Sequence, residues 1–185
     1  MTHSLPKQSN FKDHFSTQAT LYAQYRPPYP KELFSRISQL VSAHHQVWDV
    51  GTGNGQAALG WTPDFDRVLA TDASAQQIAS AQTHPKIEYR ICSAENASFI
   101  ESDSTNLISV GQALHWFEFN QFYAEVARVA ARDAVIAVWC YNLFSISQEI
   151  DDVILHYYQN IVGKFWEIER HYIDEDYRTI PFPFP

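Results

Sequence analysis

A short apolar run, Val47-Trp48, ends at Asp49, and three glycines follow at alternate positions: Gly51, Gly53 and Gly55. No other feature constrains the chain as strongly. Glycine lets a backbone turn tightly and come close to a ligand where any Cβ would collide. A polar ligand group then sits against exposed amides at the start of the next helix. A second run, Arg67-Val-Leu-Ala-Thr-Asp72, closes on another carboxylate. An acidic residue at the end of the second strand of a βαβ unit suits the two hydroxyls of a ribose.

The pattern around this loop keeps alternating. Strands are expected over 47–50, 68–71, 87–92, 106–110 and 134–139, with helices between them. One helix runs through Ala57 to Trp61, one is capped by Ser74, and one over 119–131 carries Phe122, Tyr123, Val126 and Val129 on a single face. Strands alternating with helices imply an α/β, Rossmann-like doubly wound fold, a mostly parallel sheet with helices on both faces. Ligands in such folds bind beyond the carboxyl ends of the strands. Ahead of the sheet, a helix over 17–24 stops at Arg26-Pro27-Pro28-Tyr29-Pro30, because proline cannot continue it. Pro30 suits the first turn of a further helix carrying Leu33, Phe34, Ile37, Leu40 and Val41. Residues 1–45 therefore read as an N-terminal helical cap and 46–185 as the core. After the fifth strand, Ser145-Ile-Ser-Gln148 reads as a capping box. The helix it opens reaches about residue 162 on Ile150, Val153, Ile154, Tyr157 and Ile161.

Composition narrows the function. At 185 residues, 45% hydrophobic and 15% aromatic, the chain has the material for one folded core. A formal charge of −8 with no basic run speaks against nucleic acid as a partner. No secretory signal is visible, and no apolar stretch approaches the roughly 20 residues that span a bilayer. Cys92 and Cys140 fall in strands expected to be buried and read as reduced core thiols of a cytoplasmic protein. There is no C-x-x-C, H-E-x-x-H, G-x-S-x-G or G-x-x-x-x-G-K-[ST], so metal, hydrolase and P-loop chemistry lack their motifs. His44-His45 reads as a solvated helix end.

The glycine spacing separates two nucleotide cofactors. A dinucleotide fingerprint needs a small residue at position 56, where this chain has Gln56. The pattern D-x-G-x-G-x-G, then Asp72, Ser93-Ala94-Glu95 and Gln112-Ala-Leu-His-Trp-Phe117, instead resembles the class I S-adenosylmethionine-dependent methyltransferases. The N-terminal pattern Phe15, Ala19, Tyr22, Ala23, Arg26, Pro27 resembles the small-molecule members related to trans-aconitate methyltransferase. The resemblance implies S-adenosylmethionine as cofactor. It puts Asp49 near the methionine ammonium and the glycine loop beside the methionine part. Asp72, followed by Ala73, would bind the ribose, and Ala94 and Glu95 the adenine. Gln112, His115 and Trp116 would run past the sulfonium, with His115 and Trp116 on the floor where the methyl is passed. Tyr22 or Arg26 would contact cofactor or substrate. With His14 and His115, Arg26 would supply the positive groups near the pocket. Each residue also has a plain structural reading: Asp49 satisfying loop amides, Asp72 capping a helix, Glu95 a solvated acid, His115 a buried hydrogen-bonded histidine, Arg26 a surface residue.

The family's fold normally ends in an antiparallel strand pair. The tail Ile180-Pro-Phe-Pro-Phe-Pro185 leaves no room for one, so that pair is expected to be absent and the chain to lack the family's last portion. Strand five, apolar on both faces, is expected to be an interior strand that is left with an open edge, which invites self-association. The expected activity is methyl transfer to a small molecule, preferably a carboxyl oxygen of an organic acid. A phenol or amine acceptor, or a non-catalytic cofactor-binding protein, are the alternatives. His115 near neutral pH would serve as base for a hydroxyl or amine, whereas a carboxylate would need none.

Overall fold

The computed structural model describes residues 28–185. The helix expected over 17–24, with His14, Tyr22 and Arg26, lies outside them. Five strands form one sheet: β1 (Gln46–Val50), β2 (Arg67–Asp72), β3 (Ile87–Ile91), β4 (Thr105–Gly111) and β5 (Ala130–Trp139). Their order is β3-β2-β1-β4-β5, and every pairing is parallel. The chain winds outward from β1 to β3, then returns to lay β4 on the other side of β1. That reversal between β1 and β4 is the topological switch point, where α/β sheets open a ligand crevice.

The three central strands, β1, β2 and β4, are buried on both faces, so each divides its side chains between two cores by the period of two. Trp48, Val50, Ile108 and Val110 face α4 (Phe119–Val129), which buries Phe122, Tyr123, Val126 and Val129 as its spacing predicts. Val47, Val68, Ala70 and Leu107 face the other way, against Phe34, Trp61 and Phe65. Phe34 belongs to α1 (Lys31–Ser38) and Trp61 to α2 (Gln56–Trp61). Ser74 caps α3 (Ala75–Ala79) as expected, its side chain accepting the Gln77 N–H.

Several expectations need correction. Pro30 stands at the N-cap of α1 rather than inside its first turn. That helix ends at Ser38, so Leu40 falls past it and is exposed. α4 stops at Val129 and β5 begins at once at Ala130, earlier than the expected 134. Among the described residues, β5 pairs with β4 on one side and has no strand on the other, so the open edge expected of it is present. Its side chains are accordingly half-buried at best. Cys92 and Cys140 each fall one residue past a strand end; both are half-buried free thiols.

The capping box does not form. Ser145 Oγ donates to Asp151, and α5 (Gln148–His156) has no side-chain cap. Beyond His156 the helix widens into a π-helical turn over Tyr157–Val162. α5 buries none of its residues; Val153 is 70% exposed. The last helix, α6 (Arg170–Asp174), buries Ile173, and the following turn brings Ile180 into the α4 core.

Candidate functional site

The carboxyl ends of β1, β2 and β4 converge where sequence reasoning put the site. Gly51, Gly53 and Gly55 have φ of +65°, +58° and +87°, angles that favour glycine. The three differ in surroundings. A Cβ on Gly51 would stand 2.6 Å from the Ala113 Cβ, so this glycine admits the segment after β4. A Cβ on Gly55 would strike the Tyr89 ring. At Gly53 the nearest atom among the described residues would be Gln77 Oε1 at 3.8 Å, so no described residue fills the middle of the loop.

Asp49 is buried at the end of β1. Thr52 Oγ1 donates to its Oδ2 at 2.5 Å and Ser109 Oγ to its Oδ1 at 2.6 Å. Ser109 in turn accepts the Trp61 indole N–H at 3.0 Å. Burial pushes the carboxyl up to about 6, the hydroxyl donors pull it down, and the nearby Asp72 raises it further. Asp49 thus takes side-chain hydroxyl donors more than the loop amides of its plain reading. Asp72 accepts the Gly53 N–H and the Ser74 N–H, each at 2.8 Å. It braces the loop and the start of α3 together.

One acceptor here escaped sequence reasoning. Gln56 Oε1 is buried and has no hydrogen-bond partner among the described residues. It shares with Asp49, Gly51, Thr52 and Gly111 a cavity of about 10 Å³, room for roughly one water-sized group. A carboxylate and an unpaired amide oxygen around such a space suit an ammonium group. In the sequence Gln56 signals only that the loop is not a dinucleotide fingerprint. An open middle glycine, a strand-two carboxylate and an acceptor set of ammonium size fit S-adenosylmethionine.

The remaining predicted residues are distributed as follows. Ala73 links Asp72 to the Ser74 cap. Ala94 is buried in the α4 core. Glu95 Oε1 accepts the Glu118 N–H at 2.9 Å, tying this loop to the start of α4. Arg90 lies 4.5 Å over the Phe99 ring, and Ile100 is in the core. Gln112 has φ +59° and donates through Nε2 to the Tyr141 carbonyl at 3.2 Å.

His115 and Trp116 lie in a 3-10 turn, Leu114–Trp116. Trp116 is exposed. His115 is only 5% exposed, and its Nδ1 lies 2.6 Å from the Tyr177 hydroxyl. Burial, aided by the positive Arg170, pushes the imidazole down to about 4. The expectation of a base poised near neutral pH is therefore corrected: desolvation disfavours the charged ring. Arg170 also corrects the inventory of positive groups. Its guanidinium sits over the Tyr158 and Trp166 rings and 3.4 Å from Asp174. No periodicity in the sequence signals Arg170 or Tyr177; both come from the last helix and its turn.

No helix among the described residues is long and apolar enough to cross a membrane. The sequence pattern of the methyltransferase domain family matches residues 48–138. A methyltransferase-family protein of Dictyostelium discoideum is 34% identical over 184 residues, covering 97% of this chain and 70% of that protein. A Saccharomyces cerevisiae protein named as an S-adenosylmethionine-dependent methyltransferase is 25% identical over 145 residues, covering 74% of this chain and 49% of its own length. Among solved structures, a type II methyltransferase from Anaeromyxobacter dehalogenans superposes with a TM-score of 0.79 at 37% identity, covering 87% of this chain and 68% of that one. The chain belongs to the class I S-adenosylmethionine-dependent methyltransferases, and S-adenosylmethionine is its cofactor.

Proposed function

We propose that the chain methylates a small organic acid at a carboxyl oxygen, and that its nearer kin are the methyltransferases related to trans-aconitate methyltransferase. When bound, S-adenosylmethionine supplies a methyl group on an already activated sulfonium. Asp72 would take the ribose hydroxyls, with Ala73 beside it. Asp49 and Gln56 would take the ammonium, and Gly51, Gly53 and Gly55 would let the backbone close on the methionine part. Ala94 and the second oxygen of Glu95 would meet the adenine. Gln112, His115 and Trp116 would border the transfer site and hold acceptor and methyl in line. Tyr22 and Arg26 would add contacts from outside the described residues. Self-association through the outer edge of β5 completes the reading.

The observation that carries the acceptor class is the state of His115. A buried imidazole held near 4, with Nδ1 already engaged by Tyr177, is poorly suited to take a proton from a phenol or amine at neutral pH. A carboxylate is already anionic. The test is transfer from methyl-labelled cofactor to a metabolite pool, followed by mild alkali. Label released as methanol marks a methyl ester and is the expected result. Label that survives alkali marks an ether or amine product and overturns the acceptor class.

A further inference from the structure

We propose that Tyr177 is the positioning residue of His115: its hydroxyl gives its proton to Nδ1 across 2.6 Å and thereby holds the imidazole proton on Nε2. The direction of this bond follows from the burial of the hydroxyl. Among the described residues, Nδ1 is the acceptor within hydrogen-bond reach of this O–H. A largely buried O–H left without an acceptor is costly, so the phenol gives its proton to Nδ1. Burial pushes the phenol well above its usual range, so that proton stays in place.

The backbone that delivers Tyr177 is unusual. Asp176 and Tyr177 have φ of +52° and +61°, and neither is glycine. A bulky residue in the left-handed region is an outlier that persists only where its surroundings over-determine it. Here they do. The Tyr177 N–H donates to the Tyr172 carbonyl at 2.8 Å. Asn142 Nδ2 donates to the Ile173 carbonyl at 3.1 Å and to Asp176 Oδ1 at 3.4 Å. Buried Ile173 and Ile180 bracket the turn. Everything about the turn aims one hydroxyl at one imidazole nitrogen.

The consequence is chemical. With Nδ1 occupied as an acceptor, His115 presents a hydrogen-bond donor at Nε2 and no basic nitrogen. A donor orients an acceptor that is already anionic; it does not create a nucleophile from a phenol or an amine. This inference rests on the proposed reading that Gln112 to Phe117 borders the transfer site, and it explains why the acceptor there is a carboxylate. Among the described residues, the titratable and charged groups facing His115 are Arg170 from α6 and Tyr177 from the turn; Cys140 and Tyr29 stand behind Tyr177.

The test is nitrogen-15 NMR of the imidazoles in the full 185-residue chain, with His115 assigned by the signal lost in His115→Asn. Wild type is expected to show an unprotonated, pyridine-like Nδ1 and a protonated, pyrrole-like Nε2. Tyr177→Phe keeps the ring and removes the hydroxyl. It is expected to mix the two tautomers and to raise the His115 pKa, while S-adenosylhomocysteine affinity stays within about twofold. Turnover of a carboxylic acid should fall by about 10- to 100-fold. A protonated Nδ1 in wild type, or an unchanged tautomer in Tyr177→Phe, overturns the assignment. Should Tyr177→Phe not fold, the wild-type spectrum alone still decides. The expected tautomer in a chain that methylates no carboxylate would sink the acceptor class and leave Tyr177 as assigned.

Discussion

Asp49 and His115 carry opposite electrostatic strains, and single substitutions should separate them. Burial raises Asp49 from 3.8 to about 6, so the folded chain binds this proton more tightly than the unfolded one. Its stabilisation is present below pH 3.8 and is lost as pH rises through about 6. Burial and Arg170 lower His115 from 6.5 to about 4, so the folded chain binds that proton less tightly. Its stabilisation is present above pH 6.5 and is lost as pH falls through about 4. Each displacement is worth about 3 kcal/mol, at about 1.4 kcal/mol per pH unit. Between pH 4 and 6 the two slopes nearly cancel in the wild type. Asp49→Asn removes one of them, and its stability should climb with pH over this window relative to wild type. In His115→Asn it should fall with pH over the same window. For a domain of this size about 3 kcal/mol is roughly 6–12 °C in Tm. The assay is thermal unfolding followed by circular dichroism at half-unit pH steps. Glu88 and Glu125, both held below the usual carboxylate range by arginine partners, add a common acid slope to all three chains. The difference from wild type is therefore the reading. Curves that run parallel in all three proteins would refute the account of both buried groups.

The glycine loop gives a paired prediction. Gly51→Ala brings a Cβ to 2.6 Å from Ala113 at φ +65° and should cost about 2–5 kcal/mol of stability, seen in urea unfolding. Gly53→Ala meets no described atom closer than 3.8 Å, so it should cost only about 1–2 kcal/mol of stability while S-adenosylhomocysteine affinity drops by about 5- to 150-fold. Asp72→Ala removes the acceptor of the Gly53 and Ser74 amides along with the proposed ribose ligand; calorimetry should show affinity weakened by at least tenfold. Unchanged affinity would remove Asp72 from the site. Light scattering at tens of micromolar is expected to give a mass above the 21.3 kDa of one chain, and a stable monomer would refute pairing through β5.

What the sequence displayed was local. The glycine loop, the carboxylates closing β1 and β2, the Ser74 cap and the buried face of α4 each rest on neighbours within a few positions. They lie where their spacing put them. What escaped was tertiary. Thr52 and Ser109 as donors to Asp49 come from two different elements, and Gln56 is an acceptor without a partner among the described residues, beside the Asp49 cavity that Gly111 of β4 also lines. His115 and Tyr177 are 62 positions apart, joined by a turn with two left-handed residues that no periodicity announces. The capping box failed because the helix starts later than its spacing implied, with Ser147 at the N-cap, while Asp151 takes the Ser145 hydroxyl and the Ile146 N–H ahead of it. β5 is apolar on both faces, yet sheet order depends on which strands find partners, and among the described residues only β4 pairs with it.

Isothermal calorimetry on the 185-residue chain, titrated in parallel with S-adenosylhomocysteine and with NAD, bears most directly on the central claim. The expected result is micromolar binding of S-adenosylhomocysteine, about −7 to −8 kcal/mol, with no heat of binding from NAD and with most of that affinity lost in Gly53→Ala. Binding of NAD, or S-adenosylhomocysteine affinity that Gly53→Ala leaves untouched, would contradict the assignment of this loop as the cofactor cradle.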